Sequence, residues 1–265
     1  MRSIRNRALA VLTLVATTAA TLLAAAPANA ELAGWDSFTF GNAGDVPLVA
    51  PWLGGGIDQI GVYRPSTQTF YKRECSNGVC YTSAQVFGNK GDIPIAGSWD
   101  GDYAGIGVFR PSTATFYLLN PGAQSPTVIH YGNPGDVPIV GDWNGDGITD
   151  VGVYRPSNQT FYQDVPAQYH YFYGNSGDKP FIGDWTGSLV DDIGVYRPSA
   201  AGDMYMRVNA QSTVQCLSAG HTIPLAGRWR GTSPGVLDGI GYFDPDSAHW
   251  QLYNAYHGPS GTTLC

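Results

Sequence analysis

Short runs of apolar residues alternating with polar ones recur along the chain, each bounded by Gly, Pro, Asn or Asp. A period of two marks a half-buried strand, because successive side chains point to opposite faces. No long stretch carries the roughly 3.6-residue apolar period of a helix. The runs also repeat. The fullest copy reads Gly44-Asp45-Val46-Pro47, Trp52, Ile60-Gly61-Val62-Tyr63-Arg64-Pro65-Ser66 and Phe70-Tyr71. The same order returns around Trp99, Trp143 and Trp185, and a degenerate copy holds Ile223-Pro224, Trp229, Ile240-Gly241-Tyr242-Phe243, Asp244-Pro245 and Trp250. Successive Trp spacings are 47, 44, 42 and 44 residues. A period in the forties with four short strands per unit predicts an all-β, five-bladed β-propeller.

Within a unit, Pro138 to Trp143 reads as the innermost strand and Asp150 to Tyr154 as the second. Arg-Pro-Ser is the turn that follows, with Pro fixing φ at its second position. The Phe-Tyr run is the third strand, and the fourth ends in an aromatic-Gly-Asn pattern such as Tyr131-Gly132-Asn133. Phe40-Gly41-Asn42 carries that pattern ahead of the first unit. Residues 37–42 are therefore a fourth strand with no blade of its own, expected to complete blade five and close the ring.

Residues 1–30 stand apart from this pattern. Arg2, Arg5 and Arg7 precede an apolar run at 8–25, and Ala28-Asn29-Ala30 ends it. That is the grammar of a secretory signal peptide, and it predicts a secreted, extracellular protein whose single propeller domain spans 31–265. No later run is apolar enough for a membrane span. Without those three arginines, 11 basic residues face 21 acidic ones, a net charge of −10. Such a surface repels phosphate backbones, which argues against nucleic acid as a partner.

Four cysteines in an exported chain are expected to pair. Cys75 and Cys80 flank Asn77-Gly78, a strong hairpin signal, which leaves Cys216 to pair with Cys265.

The sharpest chemical motif is Asp142-Trp143-Asn144-Gly145-Asp146-Gly147-Ile148-Thr149-Asp150. Side-chain oxygens of Asp142, Asn144, Asp146 and Asp150, with the Ile148 carbonyl, alternate as a Ca²⁺ loop requires. The bidentate Glu of an EF-hand is missing, since Val153 occupies its place. Blade four offers a weaker set in Asp184, Thr186, Ser188 and Asp192, and blades one and two offer less. The competing reading is a polar turn held by Asx hydrogen bonds. On these residues the chain resembles the FG-GAP/VCBS repeat family, whose blades carry an Asp-x-Asn-x-Asp-Gly-x-x-Asp calcium loop. The resemblance implies calcium-stabilised, integrin-like blades and ligand binding at the ring, and it fixes no ligand.

Arg64, Arg110, Arg155 and Arg197 recur once per unit, either as a ligand ring or as structural partners of acids. Arg155 and Arg197 follow Asp142 and Asp184 by 13 residues, and Arg228 with Asp244 looks like the same pair with signs exchanged. The structural reading therefore expects those positions to face each other, although Pro51 and Ser98 replace the acid in the first two units. The repeated aromatics read as core between blades. Trp35, Tyr169, Tyr171, Phe172, Tyr253 and Tyr256 fall outside the repeat, and aromatics beside polar groups are the chemistry of sugar recognition. Tyr169, Tyr171 and Tyr256 are the candidate ligand residues. Metallopeptidase, nucleophile-elbow and P-loop motifs are absent from the sequence, and the five histidines are scattered. The expected function is a non-catalytic binding or scaffold propeller, lectin-like toward carbohydrate or a cell-surface glycan. The alternatives are a glycan-cleaving enzyme on the same frame and a module for an extracellular protein partner.

Overall fold

A computed structural model describes residues 35–165, 169–198, 203–208, 211–216, 222–229 and 237–253. They form twenty strands in five four-stranded antiparallel sheets. β1 (Trp35–Thr39) comes first. Blade one is β2 (Val46–Ala50), β3 (Gln59–Arg64), β4 (Thr69–Ser76) and β5 (Val79–Val86). Blade two is β6 (Ile93–Gly97), β7 (Gly105–Arg110), β8 (Thr115–Leu119) and β9 (Thr127–His130). Blade three is β10 (Val137–Gly141), β11 (Asp150–Arg155), β12 (Thr160–Gln163) and β13 (His170–Phe172). Blade four is β14 (Lys179–Gly183), β15 (Asp192–Arg197), β16 (Asp203–Val208) and β17 (Gln211–Cys216). Blade five is β18 (Ile223–Gly227), β19 (Gly239–Asp244) and β20 (His249–Tyr253).

The fourth strand of blade five is β1, paired antiparallel with β20 in the register Phe38 opposite Trp250. The ring thus closes as the displaced aromatic-Gly-Asn motif predicts, with the strand at 35–39 and Phe40-Gly41 in the connection beyond it. Trp250 donates its indole N–H to the Phe40 carbonyl at 2.9 Å, which fixes the seam. Phe38 stacks on the Trp250 ring.

The core lies between blades rather than within one. Each hydrophobic cluster takes residues from two neighbours. Trp52, Tyr63 and Phe70 of blade one pack with Ile106, Val108 and Leu119 of blade two, and Ile60 and Val62 pack with Phe243 and Trp250 across the seam. A second-strand glycine serves the close packing inside its own blade. A Cβ on Gly152 would stand 2.7 Å from the Tyr162 carbonyl oxygen and 3.1 Å from the Ile139 side chain.

The Arg-Pro-Ser segments turn as expected. Thr67 N–H donates to the Arg64 carbonyl, and Gln68 takes φ 50° as the chain enters β4. Cys75 and Cys80 lie opposite each other across the β4–β5 hairpin and are bonded. Cys265 lies outside the described residues, as does the side chain of Cys216, so their expected pairing does too.

Candidate functional site

The antiparallel strands give the ring two faces. The turn face carries the Arg-Pro-Ser turns and the connections between blades. The loop face carries the connections from each first strand to the second. The register Val137 opposite Tyr154 and Gly141 opposite Asp150 puts Asp136 beside Arg155, and Asp142 at the other face.

This register corrects the expected ion pairs. Arg155 does not meet Asp142. Its Nε and Nη2 donate to both oxygens of Asp136, each at 2.8 Å. The same fork joins Arg64 to Asp45, Arg110 to Asp92 and Arg197 to Asp178. The partner is the aspartate of the Gly-Asp-x-Pro motif, so blades one and two do keep their acid. Each carboxylate also accepts a backbone amide, as Asp136 does from Asn133 at 2.8 Å. Each guanidinium lies over a third-strand Tyr, 4.5 Å from the ring centroid for Arg155 over Tyr162. Blade five replaces both partners, with Thr222 and Asp244. Asp244 instead accepts from Ser247 Oγ and Asp246 N in its own turn. In all four clusters the buried carboxylate is taken up by the fork and a backbone amide, which makes them architecture rather than a ligand ring.

The loop face holds a second device, which the repeated Trp and Arg positions do not signal. The residue just before each second strand reaches the preceding blade. Asp191 N donates to the Asp142 carbonyl at 2.8 Å, while Asp191 Oδ2 accepts from Asp142 N at 2.7 Å. Asp58 does this with Arg228, Thr149 with Ser98, and Asp238 with Asp184. The fifth clasp is Ala104 N to the Pro51 carbonyl. Pro51 has no N–H to offer, and its partner Ala104 has no side-chain acceptor. Alignment of these pairs is the signal in the sequence that could have revealed the clasp.

These clasps circle the axis, with apolar inner strands below and a cavity above. The axial space of about 140 Å³ is lined by Val49, Ala96, Val140, Ile182 and Ala226 together with Asp58, Thr149, Asp191 and Asp238. Above it a cavity of about 410 Å³ opens on the loop face, and its lining adds Ser98, Asp142, Asp146, Asp184 and Arg228. Asp142 and Asp184 therefore meet in one cavity. Arg228 donates to Asp184 at 3.3 Å and lies 3.6 Å from Asp238. It does not pair with Asp244, because the two sit on opposite faces. Burial, then the facing Asp238 charge, pushes Asp58 up to about 7. Burial, then Asp238, holds Asp191 well above the usual carboxylate range, and burial pushes Asp238 up to about 6.

The 142–150 loop lies on the cavity rim. Asp142 Oδ1 accepts from Gly145 N at 2.6 Å and Oδ2 from Gly147 N at 2.8 Å. Asn144 Oδ1 accepts from Asp146 N, Asp146 Oδ1 accepts from Ile148 N, and Asn144 Nδ2 donates to Asp150 Oδ2 at 3.4 Å. These are the Asx bonds of the competing reading. Burial, then Asp146 and Asp142, pushes Asp150 up to about 6. In blade four Asp184 does what Asp142 does, accepting from Gly187 N and Leu189 N, while Thr186 Oγ1 donates to Ser188 Oγ. Burial, then Asp184, pushes Asp192 up to about 6. Among the described residues no three acidic, Cys or His side chains converge closely enough to cage a metal ion.

Tyr169 and Tyr171 lie at the outer edge of blade three. Their rings stack with centroids 6.4 Å apart, and Tyr169 is 50% exposed. The Arg207 guanidinium of blade four lies 4.7 Å from the Tyr171 centroid. Tyr256 falls outside the described residues, as does the side chain of Trp35.

No family model matches the chain, and no curated protein matches it. One similar solved structure is described as the crystal structure of BBS1N in complex with ARL6DN, soaked with mercury. It is 11% identical, covers 76% of this chain and 75% of its own, and superposes with a TM-score of 0.42.

Proposed function

We propose that this chain is an exported, non-catalytic recognition propeller that binds carbohydrate in a lectin-like manner. The observation that carries the reading is the stacked pair Tyr169 and Tyr171 beside Arg207 at the outer seam of blades three and four. An exposed ring takes the C–H face of a sugar, and a guanidinium donates to its hydroxyls. The signal-like segment at 1–30 and the Cys75 to Cys80 disulfide support export. Calcium in the 142–150 loop belongs to the same proposal. Asp142, Asn144, Asp146, the Ile148 carbonyl and Asp150 would hold it; burial raises Asp150 first and the charges of Asp146 and Asp142 add to it, and that added repulsion is what a divalent cation relieves. The ion must win those oxygens from the loop amides.

A glycan array run with and without chelator tests the reading. Binding to a defined set of glycans is expected, and binding to none overturns it. A second reading, glycan cleavage, draws on the raised carboxylates gathered in the loop-face cavity. Release of reducing sugar, abolished in Asp58→Asn, would replace the lectin reading with the enzyme.

A further inference from the structure

The outer edge of blade one differs from the other four. β4 and β5 run eight residues each, whereas the outer strands β1, β9, β13 and β17 run three to six. β3 pairs only with Thr69 to Lys72 of β4, so residues 73–82 stand beyond it as a two-stranded ribbon. Such a ribbon is marginal in water by itself. The hairpin register tells which backbone groups of β5 face outward. Ser76 lies opposite Val79 across the two-residue turn, and at the other end Phe87 N–H donates to the Gln68 carbonyl. Hydrogen-bonded and open pairs alternate along an antiparallel ladder, so Val79, Tyr81, Ser83 and Gln85 bond to β4. Cys80, Thr82, Ala84 and Val86 each turn an N–H and a C=O away from the blade, and no described residue takes them. Edges of this kind are blunted by Lys, Pro, a bulge or shortness. β5 has none of these: it reads Val-Cys-Tyr-Thr-Ser-Ala-Gln-Val, and seven of its eight positions are exposed.

We infer that β5 pairs antiparallel with β5 of a second copy of this chain, joining two blades into one eight-stranded sheet. A row of alternating N–H and C=O groups is matched by another extended strand. Charge and symmetry select the second copy. Past residue 30, 11 basic residues face 21 acidic ones, so two copies repel each other over most of their surface. β5 carries no charge, and the neighbouring Lys72 and Glu74 pair with each other at 3.3 Å. A two-fold axis at Ser83 sets Cys80 against Val86 of the partner subunit, and Thr82 against Ala84 of the partner subunit. All four open residues are then hydrogen-bonded on both copies, as an isologous contact requires. The same register gives the free half of the ribbon a third strand. Tyr81, 70% exposed, and Val79, 50% exposed, lose water to the new neighbour.

Sedimentation equilibrium over about 1–200 µM protein, with amide exchange read residue by residue, tests the pairing. A monomer–dimer equilibrium is expected. The Thr82 and Ala84 amides should gain protection as the dimer fills, while Tyr81 and Ser83, bonded to β4, stay protected throughout. Thr82→Pro removes an outward N–H and leaves the β4 ladder whole, and Thr82→Lys keeps that N–H but adds a charge to the edge. Each should weaken dimerisation about tenfold or more while Tyr81 and Ser83 keep their protection. Val128→Lys, on the β9 edge, should leave the dimer unchanged. A monomer at every concentration overturns the inference and leaves the edge to a foreign strand. A dimer of full strength in both Thr82 variants, or one that forms without protecting Thr82 and Ala84, overturns it too, because the contact then lies elsewhere.

Discussion

At the scale of the residue, the shared look of the first four repeats comes from an Asp, an Arg and a Tyr that satisfy one another. Asp136 is 4% exposed and accepts two guanidinium bonds and one amide. Asp136→Ala leaves Arg155 without its partner, and is expected to lower stability by about 2–3 kcal/mol in denaturant unfolding. An unchanged midpoint would show that the fork contributes nothing. That the arginines are structural was legible from their recurrence. Their partner was not, because spacing along the chain does not tell which end of the first strand faces the arginine. Asp142 and Asp136 lie six positions apart at opposite ends of that strand, and only the antiparallel register tells which one Arg155 meets. Blade five held the clue, since Thr222 and Asp244 lose both halves of the pair together. Tyr169 and Tyr171 stand out in the sequence because they fall outside the repeat, and the structure stacks their rings at the edge of blade three.

At the scale of the element, the first-to-second-strand loops do two jobs. They clasp each blade to the one before, and they wall the axial cavity. Thr149→Val removes the acceptor that Ser98 N–H uses at 2.9 Å. The expected cost is about 1–2 kcal/mol, with faster amide exchange at Ser98 and Thr149 and none at the Asp184 clasp. Uniform loss of protection would contradict a local clasp. The 142–150 loop was legible as an oxygen-rich turn, and its Asx bonds show why such a turn holds its shape through its own amides. If calcium binds there, adding it after chelation raises the melting temperature, and Asp146→Asn reduces the gain. No change on adding calcium removes the ion from the account.

At the scale of the molecule, the five-blade count, the closure by β1 and the position of the core between blades all follow from the repeat and from one displaced strand motif. The acidic axis does not, because Asp58, Asp191 and Asp238 come from three blades and meet only when the ring closes. Their raised pKa values have a consequence for stability. In the unfolded chain each titrates near about 3.9. The fold holds their protons more tightly, so their contribution is full below that value and is lost as pH rises through about 6 for Asp238 and about 7 for Asp58. The melting temperature should fall between pH 5 and pH 7.5, and fall less in Asp58→Asn; a rise over that range would contradict the crowding of these acids. A chain starting after Thr39 should melt lower and self-associate, because it leaves the β20 edge unpaired. The central claim is that the repeated residues build the ring while the irregular ones recognise the ligand. Melting temperature and affinity for an array-selected glycan, measured together on Asp136→Ala and Tyr169→Ala, test it most directly. Asp136→Ala should lower the melting temperature and spare the affinity at temperatures where it stays folded, and Tyr169→Ala should leave the melting temperature unchanged and weaken binding about tenfold or more. Full affinity in Tyr169→Ala, or loss of binding in a folded Asp136→Ala, would contradict it.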